Sequence, residues 1–130
     1  MRFGVVSSIN TVNFGFPYQG TQHGRLTVRN HPRHGHEVMF RVDKGQIPCS
    51  VTGCTVLVRF DESKPVRWQA SGAVDHDPTV VFLDNTTQFR RRLATARRLR
   101  MELTFYTEGA HTFEFDVAGF RPDLKSSEAH

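Results

Sequence analysis

Met101-Glu102-Leu103-Thr104-Phe105, followed by Tyr106-Thr107-Glu108-Gly109-Ala110-His111-Thr112 and then Phe113-Glu114-Phe115-Asp116-Val117, is the stretch that decides the fold class. Large apolar side chains occupy alternate positions on both sides of a Gly-containing turn at Glu108-Gly109-Ala110-His111. That is the two-residue period of half-buried strands, joined here as a hairpin. Each strand offers one face to a core.

The same alternation recurs upstream. Leu26 and Val28 alternate with Thr27 and Arg29; Val38, Phe40 and Val42 alternate with Glu37, Arg41 and Asp43, Met39 being the exception; Val56, Val58 and Phe60 alternate with Thr55, Arg59 and Asp61. Weaker strands are predicted over residues 11–16, 66–70 and 79–83, punctuated by Pro17, Gly20, Gly35, Gly45, Gly53, Pro65, Gly72 and Pro78. Short strands at near-regular spacing predict a mainly β fold, an antiparallel β-sandwich or partly open barrel. Phe40, Val42, Val56, Val58, Phe60, Phe82, Leu103, Phe105, Phe113 and Phe115 are its expected core, with Trp68 partly buried.

One segment breaks the period. Residues 85–98 contain neither Gly nor Pro, and Phe89, Leu93 and Ala96 share one helical face. Asn85 followed three residues later by Gln88 resembles a capping box. A single amphipathic helix is predicted, with Arg91, Thr95 and Arg98 outward, and with Arg90, Arg92 and Arg97 flanking the apolar stripe so that their stems can cover it. With only one helix, parallel βαβ winding is excluded.

The chain of 130 residues is long enough for one self-sufficient core. Residues 1–121 read as that single domain and residues 122–130 as a polar tail. No apolar run is long enough to span a membrane, and Met1-Arg2-Phe3-Gly4-Val5-Val6 is too short for the apolar core of a signal peptide. The protein is therefore expected either to be cytosolic or to have lost a leader. A net charge of +4, largely from arginine, admits an anionic partner such as nucleic acid, acidic polysaccharide or a lipid headgroup without selecting among them.

Cys49 and Cys54, separated by Ser50-Val51-Thr52-Gly53, suit a small disulfide loop at a strand-to-strand turn better than a redox-catalytic pair, which usually sits two residues apart in a helix-opening turn. Free thiols remain the alternative. His31, His34 and His36 are metal-competent imidazoles, but Arg33 stands among them, and Pro32 with Gly35 marks a turn, so a solvated loop is expected and no metal or cofactor. Asp75 and Asp77 flank His76 beside Pro78 and read as turn-forming aspartates rather than an acid-base pair. The run Arg90-Arg91-Arg92, continued by Arg97, Arg98 and Arg100, is the strongest electrostatic feature; Arg90, Arg91, Arg92, Arg97 and Arg98 are the candidate anion-binding residues. Phe89 and Phe105 are in core phase, unlike the exposed aromatics on which nucleic-acid bases stack. No phosphate-binding Gly-rich loop, Ser nucleophile motif or HExxH pattern occurs.

Four segments together, Asn10-Thr11-Val12-Asn13-Phe14-Gly15-Phe16-Pro17-Tyr18-Gln19-Gly20, Lys44-Gly45-Gln46-Ile47-Pro48-Cys49, Val58-Arg59-Phe60-Asp61 and Phe113-Glu114-Phe115-Asp116-Val117-Ala118-Gly119-Phe120, resemble a family of small exported proteins of Gram-negative bacteria whose function is not established. A looser likeness, in Arg59-Phe60-Asp61, the helix and the last hairpin, extends to type VI secretion accessory proteins and invasion-associated locus B proteins. The resemblance implies a leader or lipoprotein signal in the precursor and a periplasmic or envelope location, and it carries no catalytic residues. The expectation is a non-enzymatic envelope domain that binds another protein or envelope component. A polyanion or nucleic-acid binder using the arginine-rich helix is the alternative, and a hydrolytic or redox enzyme the third; the enzyme would need a cleft around Cys49, His76 or Asp77.

Overall fold

In the computed structural model, which describes residues 2–15, 20–31, 35–50 and 52–120, the alternating segments form strands. These are β1 (Arg2–Ser7), β2 (Val12–Phe14), β3 (Gly20–Gln22), β4 (Gly24–His31), β5 (Gly35–Val42), β6 (Cys54–Phe60), β7 (Val66–Gly72), β8 (Val80–Leu83), β9 (Arg98–Phe105) and β10 (Gly109–Asp116). The helix α1 (Thr86–Thr95) lies between β8 and β9. Eight strands form one antiparallel sheet in the order β1-β4-β5-β8-β7-β6-β9-β10, nearly closed into a barrel, while β2 and β3 make a small hairpin of their own. Side chains can fill the interior of a barrel of this size, and these do so. Leu26, Val38, Phe40, Val58, Leu99, Met101, Phe113 and Phe115 are fully buried in one cluster.

The seam between β1 and β10 has no strand ladder. Ile9 N–H donates to Glu114 O at 2.7 Å, and next to it the Asn10 side chain stands in for a strand: its Nδ2 donates to Thr112 O at 2.9 Å and its Oδ1 accepts from Glu114 N–H at 2.7 Å. A primary amide carries the same donor and acceptor as a peptide group, so one side chain satisfies two edge groups of β10.

Two different devices close the barrel ends. At one end residues 43–50 lead out of β5 across the barrel, burying Ile47 and anchored by bonds that include Ile47 N–H to Pro78 O at 2.8 Å, Tyr106 N–H to Gln46 O at 2.8 Å and Gly72 N–H to Ser50 O at 2.8 Å. Two glycines permit this path. A Cβ on Gly72 would lie 2.1 Å from the Cys49 carbonyl oxygen, and Gly45, at φ +133°, faces the Phe14 ring. Phe14, from β2, packs on Phe105 and His111 with ring centroids 4.9 and 5.1 Å away.

At the other end α1 inserts Phe89 and Leu93. Phe89 meets Phe60 and Trp68 edge-on, each with centroids 5.3 Å apart. Strand β8 is only four residues long and its ladders stop at Leu83, so α1 covers the gap that a longer strand would have filled between β5 and β7.

Every predicted core side chain is buried except Phe82, which is half-buried on the outer face of β8. The helix is shorter than residues 85–98. It ends at Thr95, and Arg98 opens β9, because Leu99, Met101, Leu103 and Phe105 alternate into the core and Arg98–Phe105 pairs along β10. The capping box is absent: Asn85 adopts a left-handed conformation, φ 50°, with no side-chain cap bond, an arrangement that asparagine tolerates and that turns the chain out of β8 into the helix. The last hairpin turns at residues 106–108, with Gly109 already opening β10. Strands β1 and β3 were not predicted. Phe16, Pro32 to His34 and the polar tail lie outside the described residues.

Candidate anion-binding end

The five candidate arginines are separated by the fold into four settings. Arg92 lies over the Phe60 ring, 4.5 Å from its centroid, and donates to Ser63 Oγ at 3.1 Å, so its stem covers the helix–barrel junction. Arg90 is half-buried; burial lowers its pKa, and its charge, after desolvation, contributes to lowering that of His36, which places it on the β5 side of the helix. Arg98 belongs to the barrel wall, where it and Arg100 share Glu114 at 3.1 and 3.6 Å. Of the five, Arg91 and Arg97 are exposed.

Arg91 touches Gln88 Oε1 at 3.3 Å, and Arg97 is aimed by its main chain. Asp61, itself at φ 53°, accepts from the N–H groups of Arg97 and Arg98, both at 2.9 Å, and Asp61 N–H donates to Arg98 O at 2.8 Å. These two main-chain bonds hold the Asp61 carboxyl below its ordinary value, outweighing slight desolvation, and the Arg97 charge acts in the same direction. The turn after β6 is thereby locked to the start of β9.

The rest of the barrel treats its cations differently. Arg25 pairs with Asp43 at 2.9 Å, Arg29 with Glu37, Arg41 with Asp77 at 3.0 Å and Arg59 with Glu62 at 2.9 Å. Among the described residues, no carboxylate lies within ion-pair distance of Arg67, Arg91, Arg92 or Arg97. No aspartate or glutamate occurs between Thr86 and Met101.

Arg67 is a residue that sequence reasoning missed. It alternates outward on β7, and only the early end of β8 brings it beside α1. Between β7 and α1 lies a groove of about 370 Å³ lined by Arg67, Gln69, Asn85, Gln88 and Arg92 over an edge of Trp68, with Asp84 at its end. On the β5 side of α1, a second groove of about 350 Å³ is lined mainly by Val38, Val74, Phe82 and Leu83 with His36 and Glu37.

The disulfide end brings together the other candidates. Cys49 and Cys54 are bonded, S–S 2.04 Å, as the spacing suggested. Cys49, His76 and Asp77 do share a cleft, of about 540 Å³, with Ile47, Pro48 and Pro78. Asp77, however, is committed to Thr79, accepting from its N–H at 2.9 Å and its hydroxyl at 2.7 Å, and to Arg41; these bonds hold its carboxyl low. Asp75 Oδ1 accepts from Asp77 N–H at 3.1 Å, the expected turn role. Among the described residues no group of histidine, cysteine and carboxylate side chains could hold a metal ion, and His34 lies outside them. No described helix is long and apolar enough to cross a membrane.

No family model matches the chain, and neither a curated protein nor a solved structure is similar to it.

Proposed function

We propose that this chain is a non-enzymatic binding domain that works in an oxidising compartment, the periplasm or cell envelope, and that its helix-covered end holds a negatively charged partner. The observation that carries this is the uneven pairing of cations: Arg25, Arg29, Arg41 and Arg98 on the barrel wall form ion pairs, while among the described residues Arg67 and Arg91 have no carboxylate within ion-pair distance and Arg97 has only the Asp61 carboxylate as a charged neighbour. Uncompensated guanidinium groups repel one another and raise the local potential, a cost offset when an anion binds.

Two further observations support the reading. The Cys49–Cys54 bond is of a kind that persists in oxidising compartments and is rare in reducing ones. Asp43, Asp61 and Asp77 are held ionised by fixed hydrogen bonds, which makes each a poor general base near neutral pH.

The test is equilibrium binding of inorganic polyphosphate across a series of NaCl concentrations. Affinity is expected to fall steeply with salt, and the Arg91→Ala/Arg97→Ala double variant to flatten the log–log slope by about one to two. Binding that is absent, or indifferent to salt, overturns the proposal.

A further inference from the structure

The groove between β7 and α1 has a composition that the outward arginines do not. Its rim carries the primary amides of Asn85 and Gln88 between the cations Arg67 and Arg92, above an apolar floor at Trp68, while Gln69 Oε1 accepts from Thr55 Oγ1 at 3.1 Å on the β6 side. The wall supplies main-chain groups too. Gln69 O accepts Asp84 N–H at 2.9 Å, so odd-numbered residues of β7 turn their peptide groups toward this side, and the ladder with β8 goes no further than Ala70 and Leu83. One step on, the N–H and C=O of Arg67 therefore face the groove beyond the last strand pair.

These groups select a ligand chemistry. Amides and peptide groups both donate and accept, as sugar hydroxyls do, and a guanidinium matches a carboxylate in two parallel bonds. The exposed Asp84 carboxylate accepts from hydroxyls but repels a densely charged chain. A volume of about 370 Å³ is at the small end of ligand pockets, enough for a short saccharide segment.

We propose that this groove binds an acidic saccharide, its carboxylate held by Arg67 and Arg92 and its hydroxyls by Asn85 and Gln88. The inference rests on the reading of this end as an anion-binding surface and names its partner as an acidic glycan rather than a nucleic acid. Phe60, Trp68 and Phe89 are buried, which leaves no aromatic face free in this groove for a base to stack on.

Trp68 is the single tryptophan, so its fluorescence reports on the groove directly. Oligogalacturonate titrated into the protein is expected to give a saturable change in that signal. Arg67→Ala should weaken it about tenfold or more, as loss of a charge-assisted bond does, and Arg91→Ala should weaken it much less. Gln88→Leu, on the exposed side of α1, should weaken it as well. A maltooligosaccharide of matched length should leave the signal unchanged; an equal response would overturn the acidic assignment, as would single-stranded DNA acting as strongly as oligogalacturonate. If polyphosphate binds with steep salt dependence while oligogalacturonate neither binds nor perturbs Trp68, the groove inference fails and the broader reading stands. If neither probe binds, both fail.

Discussion

The two ends of the barrel solve one problem with different chemistry. The disulfide end is closed by covalent and main-chain means: a cystine, backbone bonds from residues 43–50, glycines that let chain pass close to chain, and acids tied to arginines and threonines. The helix end is closed by packing, with Phe89 and Leu93 plugged into the gap that β8 leaves and cations spread on the outside. Where main-chain bonds and the cystine close an end, its charges can neutralise one another. Where a plug closes it, the outward face of the plug is free to carry like charges, and here it does.

The comparison breaks first at Phe89. Phe89→Ala should cost about 3 to 5 kcal/mol in urea unfolding, because it empties a site walled by Phe60 and Trp68. Arg91→Ala, on the same helix, should change stability by less than about 0.5 kcal/mol. Equal costs would mean that the helix is rotated about its axis.

At the opposite end, reduction of Cys49–Cys54 should lower stability by about 2 kcal/mol, the loop-entropy value for so short a ring, and leave the circular dichroism of the sheet intact. Loss of the fold on reduction would show that residues 43–50 depend on the cystine more than on their hydrogen bonds.

Asn10 tests the seam that runs between the ends. Asn10→Ala removes two hydrogen bonds to β10 and should cost about 1 to 2 kcal/mol, with faster amide exchange at Glu114 than at its neighbours facing β9. Unchanged exchange at Glu114 would mean that Ile9 alone closes the barrel.

Both ends should weaken in acid, in the same sense. Asp61 near the helix, and Asp43 and Asp77 at the other end, have native pKa values below the ordinary aspartate value near 4. The unfolded chain therefore binds protons first. The stability these groups contribute is fully present above about pH 5 and is lost as the pH falls below about 4 through the depressed native values. Asp61→Asn should remove part of that slope, read as urea midpoints at successive pH values.

The alternation of apolar residues made seven of the eight barrel strands legible, at least in outline, because each buries one face. Strand β1 was not, since Gly4, exposed Val5 and half-buried Val6 carry no alternation, and β3 was not, since Gly20-Thr21-Gln22 contains no apolar residue. The helix was recognised from Phe89, Leu93 and Ala96. Its end was overrun because Arg97 and Arg98 continue a good helical composition until pairing of β9 with β6 and β10 takes over. The cystine was legible from spacing and its turn. The groove was not, because it depends on where β8 stops, which no residue in Val80–Leu83 announces.

The most direct test of the account is amide chemical-shift mapping with inorganic polyphosphate at low salt. The contrast between the ends predicts perturbations concentrated at Arg67, Arg91 and Arg97, reversed by added NaCl, with Cys49, His76 and Asp77 unmoved. Perturbations centred on the disulfide end, or spread evenly over the barrel, would contradict it.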